Sequence, residues 1–215
     1  MRRLLLPSLL ALLASACAAP APPPAAMPAP AQQAQVGADW RRIVGTGDFQ
    51  RLMGADEAWY AAVSEAQKAG YGPQLAALGA LAEERAGLTR PEPPPGLYRC
   101  RTIKLGGGEP RLPYIAYDWF RCRIALTPGG DLRLDKLTGS QRQSGLLYPD
   151  GDRRLVFVGA VAWGSGEAAA PAYGAQPDRD QVGFLERIGE QRWRLALPFP
   201  KQESRLDLIE LVPAR

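Results

Sequence analysis

The sequence predicts a mainly β protein, in which a small eight-stranded antiparallel up-and-down barrel of calycin-like form follows an N-terminal helical segment. Apolar residues recur at helical spacing up to about residue 88, whereas after Gly96 they alternate with polar residues in eight short runs. Turn-forming residues separate these runs, and eight consecutive antiparallel strands can close on themselves and remove exposed edges. A two-sheet β-sandwich is the alternative that the same pattern allows.

The composition excludes several kinds of chemistry. The 215 residues include no histidine, which removes Ser-His-Asp and Cys-His nucleophile systems and the commonest zinc ligand sets. Three cysteines cannot form a metal site alone, so no metal or cofactor is expected. Loss of Arg2 and Arg3 with a cleaved leader lowers the net charge from +4 to +2. So small a surplus argues against nucleic acid as a partner.

The first 38 residues are predicted to export and tether the chain. Two arginines precede an apolar run at residues 4–13, which is too short for a resident transmembrane helix and leads into Ala-Ser-Ala-Cys. Residues 1–16 are interpreted as a signal peptide, Cys17 as a lipid-attachment site, and residues 17–38 as a Pro/Ala-rich tether. This predicts a periplasmic protein that a lipid anchor holds at the outer membrane. Because Ala-x-Ala also suits ordinary cleavage, a soluble periplasmic or secreted protein is the alternative.

A helical segment is expected at residues 39–88, followed by a proline-rich linker at residues 89–96. Asp56 is predicted to cap the N-terminus of a helix in this segment. Trp40 and Trp59 resemble a pair on which a ligand could stack. Aromatic residues at helical spacing are much more often packing anchors, and we expect that role for both.

The β-barrel domain is expected to span residues 97–213. Its strands are predicted near residues 97–105, 115–126, 131–136, 143–148, 155–161, 182–188, 193–197 and 206–212.

Two cysteines are predicted to form a disulfide bond inside this barrel. Alternation along the first two strands places Cys100 and Cys122 on the apolar, inward face. Inward cysteines on neighbouring antiparallel strands can be joined across the strands, and this leaves Cys17 for lipidation. Redox catalysis is the competing interpretation, but the chain has no Cys-x-x-Cys motif and burial suppresses thiol reactivity.

Four stretches of the chain resemble a known family. They are Gly-Leu-Tyr-Arg-Cys-Arg-Thr-Ile-Lys-Leu-Gly at 96–106, Trp-Phe-Arg-Cys-Arg-Ile at 119–124, Lys-Leu-Thr-Gly-Ser-Gln-Arg at 136–142 and Leu-Glu-Arg-Ile-Gly at 185–189. These strings are similar to the bacterial domain-of-unknown-function family 4893, and the similarity extends over about residues 39–213. The resemblance implies an exported protein but no particular reaction.

One end of the predicted barrel is the candidate binding site. In a meander, the long connections after odd-numbered strands all open at the same mouth, where binding residues usually lie. Lys104 and Lys136 follow the inward alternation at this mouth. They either point into the opening or, as is commoner for lysine, extend outward at the rim. Glu186 and Glu210 are also expected to face inward, but near the opposite end, where they cannot neutralise the lysines. The predicted ligand-binding residues are Lys104, Tyr117, Lys136, Arg142, Trp163, Tyr173, Asp178, Arg179 and Asp180.

These features favour a binding module over an enzyme, and no catalytic residue is assigned. The predicted partner is a small anionic or polar ligand at the mouth, or another periplasmic protein. The alternative is a histidine-free hydrolase that uses Asp178 or Asp180 together with a tyrosine or lysine.

Overall fold

The computed structural model describes residues 39–107, 112–164 and 166–214, all of which fall within the compact unit Gln33–Arg215. The predicted signal peptide, Cys17 and the tether lie outside the described residues. No helix in these three ranges is long and apolar enough to cross a lipid bilayer.

Three short helices precede the sheet: α1 (Thr46–Met53), α2 (Ala55–Lys68) and α3 (Gly72–Leu78), with single 3-10 turns at Trp40–Arg42 and Gly79–Leu81. The predicted N-cap at Asp56 is wrong, because Gly54 is the capping residue and Asp56 lies in the first turn of α2. The chain passes from α1 into α2 through Gly54 alone, so α2 begins earlier than the capping signal indicated. The carboxylate of Asp56 still lies near the positive end of the helix dipole.

The strands form a closed antiparallel barrel: β1 (Gly96–Leu105), β2 (Tyr114–Ala116), β3 (Phe120–Leu126), β4 (Leu132–Lys136), β5 (Gln141–Pro149), β6 (Arg154–Trp163), β7 (Asp180–Gly189), β8 (Arg192–Pro198) and β9 (Leu206–Pro213). From β3 onward each strand pairs with the next along the chain, β3 also pairs with β1, and β9 pairs with β1 to close the ring. The predicted eight-stranded up-and-down barrel is confirmed, with β2 as an additional strand.

The second predicted strand is divided in two, and β1 changes partner along its length. Residues 96–100 of β1 pair with β3, whereas residues 103–105 pair with β2. Between β2 and β3 the chain leaves the ladder, and the Tyr117 N–H donates to the Thr102 carbonyl at 2.9 Å. We call this point the fork. Beyond it, the wall of the barrel next to β1 is no longer formed by β3.

The helices cover one side of the outer surface of the barrel. Trp40 packs with Leu52 against outer residues of β5, β6 and β7, whereas Trp59 packs in a different cluster against β1, β8 and β9. Both tryptophans are buried and they lie in separate clusters, which confirms that they are packing anchors.

This cover buries several strands on both faces. Every residue of β7 from Asp180 to Leu185 is buried, and so are the first six residues of β9. The inward positions of these strands are Leu185, Ile209 and Leu211, which belong to the interior cluster. The prediction that Glu186 and Glu210 face inward is therefore wrong. It fails because two buried faces leave no alternation from which to read the parity.

The interior is apolar at the end where the chain makes its tight turns, which we call the closed end. Between this end and the fork, Cys100 and Cys122 form the predicted disulfide bond, with their Cα atoms 5.9 Å apart. Tyr98 packs edge-on against Trp193, with ring centroids 5.8 Å apart. The Trp193 indole N–H and the Tyr98 hydroxyl donate to backbone carbonyls of the proline-rich segment 89–96, which therefore lies against this end.

Candidate functional site

The opposite end of the barrel, which we call the mouth, carries the connections β1–β2, β4–β5, β6–β7 and β8–β9. Three of these, β1–β2, β6–β7 and β8–β9, are longer than any connection at the closed end, whereas β4–β5 is as short as the turns there. Here the interior changes from apolar to polar. Thr102 and Lys104 continue the inward face of β1 beyond the disulfide, and Asp207 begins the inward face of β9. Other buried polar side chains near this end are Lys136, Gln143 and Gln181. Strands that fill the closed end with apolar side chains thus present hydrogen-bonding groups at the mouth.

A cavity of about 160 Å³ lies at the mouth, beside the fork. It is lined by Thr102, Lys104, Tyr117, Phe120, Lys136, Ser140, Gln141, Gln143 and Glu203. Three of the predicted binding residues, Lys104, Tyr117 and Lys136, therefore line one cavity. A wider groove lies outside the barrel near Asp152 and Glu186, but both acidic and basic side chains line it, so it has no single sign of charge.

Lys104 is a buried cation with two carboxylate partners. Its Nζ lies 3.0 Å from Asp207 Oδ2 and 3.2 Å from Glu203 Oε2. Burial by itself would lower the pKa of Lys104, but the two carboxylates outweigh burial and raise this pKa above its ordinary value. The Ser204 hydroxyl in turn donates to Asp207 and orients it. Lys104 is thus held protonated at neutral pH.

Lys136 is buried without such a partner. Only 6% of its surface is exposed, and its Nζ donates to the Gln141 carbonyl at 2.8 Å and lies 4.0 Å from the centroid of the Phe120 ring. None of the carboxylates in the described part of the chain forms an ion pair with it. Burial, followed by the positive charge of Lys104, lowers the pKa of Lys136 to about 8. At neutral pH Lys136 is therefore mostly a buried cation, and the charge of Asp207, which pairs with Lys104 and not with Lys136, compensates it only in part.

Two further residues that line the cavity each carry a buried polar atom with no hydrogen-bond partner within the described ranges. These atoms are Thr102 Oγ1 and Gln143 Oε1, and their residues are only 5% and 3% exposed. Buried polar atoms in native proteins are nearly always hydrogen-bonded to protein or to water. The cavity therefore combines an ammonium, a hydroxyl and an amide oxygen that can each bind a small polar molecule. Thr102 and Gln143 were not among the predicted residues, although inward alternation from Cys100 would have indicated Thr102.

Arg142, Trp163 and Arg179 form a second cluster at the mouth. The guanidinium of Arg142 donates to the carbonyls of Gly139 and Gly164, at 3.0 and 2.6 Å, and to that of Glu167. Arg179 binds both carboxylate oxygens of Glu167 and stacks on Trp163, with its Cζ 3.5 Å from the ring centroid. We call Arg142, Arg179 and Glu167 the loop clamp. It ties the β4–β5 and β6–β7 connections together, and its residues do not line the cavity.

Tyr173 and Asp180 belong to a third group, which fastens α1 to the barrel. The Tyr173 hydroxyl donates to Asp48 at 2.7 Å and accepts from the Gly45 N–H at 2.9 Å. Asp180 is buried and accepts from the Gly174 N–H at 2.9 Å, and burial raises its pKa. Asp178 is exposed in a 3-10 turn. The two aspartates of the hydrolase alternative thus occupy different environments, and neither lines the cavity.

No group of three His, Cys, Asp or Glu side chains in the described ranges is placed to hold a metal ion.

Comparisons with known proteins give one match. The model of a family described as a domain of unknown function (DUF4893) matches residues 40–211. This region includes the helices, the barrel except the last two residues of β9, and every residue that lines the cavity. No curated protein and no solved structure matches the chain.

Proposed function

The chain belongs to the DUF4893 family of domains of unknown function, and from the chemistry of its barrel mouth we propose that it binds a small anion there. The observation that carries this proposal is the buried ammonium of Lys136, with which no carboxylate in the described ranges forms an ion pair. Leaving a buried cation unpaired costs several kcal/mol in typical proteins. An anion in the cavity would convert this cost into a charge-assisted hydrogen bond worth about 1.5–3 kcal/mol.

The size of the cavity supports a small ligand. A cavity of about 160 Å³ is close to the ~150 Å³ that holds a benzene molecule in an engineered protein core. A ligand of about six to nine non-hydrogen atoms is therefore the size to expect. Beside Lys136, the Thr102 hydroxyl can donate a hydrogen bond and Gln143 Oε1 can accept one, which suits an acid that also bears an oxygen substituent.

Glu203 modulates this site from the rim. Its side chain is half exposed, and its carboxylate contacts Lys104 at 3.2 Å and accepts from the Gln141 side-chain amide at 3.3 Å. It occupies a position that the carboxylate of a bound acid would also favour. We therefore expect Glu203 to compete with the ligand for Lys104.

The test is a titration followed by NMR with sodium lactate as the anion and lactamide as its neutral counterpart. Wild-type protein should bind lactate more tightly than lactamide. Lys136→Met should weaken lactate binding about 10–100-fold, because it removes one charge-assisted hydrogen bond. Glu203→Gln should strengthen it, and Lys68→Met, at an exposed lysine at the end of α2, is the matched control. Equal binding of lactate by wild type and Lys136→Met, or of lactate and lactamide by wild type, would refute the proposal.

The proposal extends to where the protein works. We propose that the chain is exported and that Cys17 carries a lipid anchor that tethers the domain at the outer membrane. The apolar run behind Arg2 and Arg3 supports export, and the Cys100–Cys122 disulfide suits an oxidising compartment. Because that bond uses two of the three cysteines, Cys17 remains available for acylation.

Mass spectrometry of the N-terminal peptide from the native host tests this second part. We expect residues 1–16 to be absent and Cys17 to carry the mass of acyl chains, and Cys17→Ser should release the protein from the membrane fraction. An unmodified Cys17, or a chain that retains its first 16 residues, would contradict the anchor.

A further inference from the structure

Lys136 also has the surroundings of a lysine that reacts as an amine. A nucleophilic lysine must lose its proton at moderate pH, and proteins achieve this by burying the amine or by placing a second cation near it. Both conditions hold here, because Lys136 is 6% exposed and shares its cavity with the ammonium of Lys104. Its pKa of about 8 leaves roughly one tenth of it neutral at pH 7, against well under one thousandth of an ordinary lysine.

The other polar groups of the cavity can restrain this amine and hold an acid beside it. One N–H of Lys136 is held by the Gln141 carbonyl at 2.8 Å, which restrains the side chain within the cavity. Lys104 stays protonated through Asp207 and Glu203, and its third N–H can hold a carboxylate. The Thr102 hydroxyl can donate to a carbonyl oxygen, and Gln143 Oε1 can accept from the hydroxyl into which that oxygen is converted. One lysine thus positions an acid while the other faces it as an amine.

We propose that Lys136 captures a small carbonyl-bearing acid, such as a 2-oxo acid, as a reversible imine. This inference rests on the proposed function, because it places the acid in the same cavity. It adds that the ligand carries a ketone or aldehyde group and that the bond to Lys136 is covalent.

The chemical step balances without any further reactant. The nitrogen lone pair of neutral Lys136 attacks the carbonyl carbon, a C–N bond forms, and one amine proton moves to the former carbonyl oxygen to give a carbinolamine. That oxygen then leaves as water with the second amine hydrogen, and a C=N bond remains. One amine and one carbonyl give one imine and one water, and no electrons are transferred.

Reductive trapping tests this inference. The protein is incubated with pyruvate and sodium cyanoborohydride, which reduces an imine to a stable secondary amine, and the labelled lysines are located by peptide mass spectrometry. We expect Lys136 to be labelled about tenfold or more over Lys68 and Lys201, which are exposed lysines in the same sample. The labelling ratio should rise with a midpoint near pH 8, and lactate, which has no carbonyl group, should compete.

Lys136→Arg is the matched variant, because it keeps the cation but cannot form an imine. It should still bind lactate and pyruvate in NMR titrations, while Lys68 and Lys201 are labelled as in wild type. Wild-type protein that binds both acids but shows no preferential label at Lys136 would overturn the imine and leave anion binding intact. Failure to bind either acid would overturn the proposed function itself. A label at Lys136 that lactate does not reduce would show that the reaction occurs outside an anion site, and would also overturn the inference.

Discussion

The protein buries two cations in opposite ways, Arg194 between the barrel and the helical layer and Lys136 in the barrel mouth. Arg194 is completely buried, pairs with Glu186 on the neighbouring strand, and stacks on Trp59, with its Cζ 4.5 Å from the ring centroid. Its remaining N–H groups donate to the backbone carbonyls of Ala80, Leu81, Glu83 and Glu84. Lys136 has one carbonyl and one aromatic ring. A cation whose donors are all occupied by protein joins two layers, whereas a cation with unused donors can bind a ligand.

Among the variants proposed here, removal of Arg194 should change the free energy of unfolding most. Arg194→Met leaves Glu186 and four carbonyls without their partner, and breaking a buried ion pair in this way typically costs about 3–5 kcal/mol. Urea unfolding followed by tryptophan fluorescence measures the loss. Arg194→Lys, which keeps the charge but supplies fewer donors, should be intermediate. A loss below about 1 kcal/mol for Arg194→Met would show that the helical layer is held on by apolar packing alone.

Removal of Lys136 should raise the free energy of unfolding, whereas removal of Arg194 lowers it. Its pKa falls from 10.5 in the unfolded chain to about 8 in the fold, so protonation favours the unfolded state. The resulting penalty is complete below about pH 8 and is relieved as the pH rises toward 10.5. Lys136→Met should therefore raise stability at pH 7 by something on the order of 1–3 kcal/mol, and this gain should shrink between pH 8 and 9.5.

Denaturant unfolding at several pH values checks this, with Lys68→Met as the control. Saturating lactate should reduce the difference in stability between the two proteins, because it binds the wild type more tightly and stabilises it more. A Lys136→Met variant that is less stable than wild type at pH 7 would mean that Lys136 is as well satisfied as Arg194.

The smallest effects are expected in the loop clamp and its neighbour. Arg179→Ala breaks the contacts with Glu167 and Trp163 and should cost about 1–2 kcal/mol. Asp178→Ala, at the adjacent exposed position, should change stability by less than about 0.5 kcal/mol. Neither should alter lactate binding, because neither residue lines the cavity. Thermal unfolding and the same NMR titration measure both quantities, and loss of lactate binding in Arg179→Ala would add the loop clamp to the site.

The sequence was most informative where one face of the sheet meets water. Along β1 and β3, exposed arginines alternate with buried residues, and this alternation gave the inward positions of Cys100, Cys122 and Lys104. The same reasoning placed Lys136 on the inward face of β4. Alternation alone could therefore predict the strand face of two lysines that line the cavity, but it did not decide between a side chain that points into the cavity and one that extends outward at the rim.

The orientation of residues on β7 and β9 and the contacts of Arg142 could not be predicted in this way, for two physical reasons. The helices bury the outer faces of β7 and β9, so apolar residues fill both faces of these strands. Glu186 and Glu210 were therefore predicted to lie on the wrong face. For the same reason Asp207 was not predicted as the partner of Lys104. Arg142 was placed among the predicted ligand-binding residues, and nothing in the sequence indicates that its guanidinium binds three backbone carbonyls. Backbone acceptors in irregular loops are present at every residue and leave no mark in the sequence.

The position of the disulfide has a mechanical consequence. Cys100 lies opposite Phe120, the first residue of β3, so the bond to Cys122 crosses the seam between β1 and β3 immediately below the fork. Two paired strands separate from a free end by losing their backbone hydrogen bonds one after another, and each hydrogen bond contributes little to the free energy of pairing. A covalent crosslink next to the end from which the strands separate prevents the separation from going further. The rim beside the cavity can therefore change conformation while the pairing of β1 with β3 beyond the disulfide stays intact.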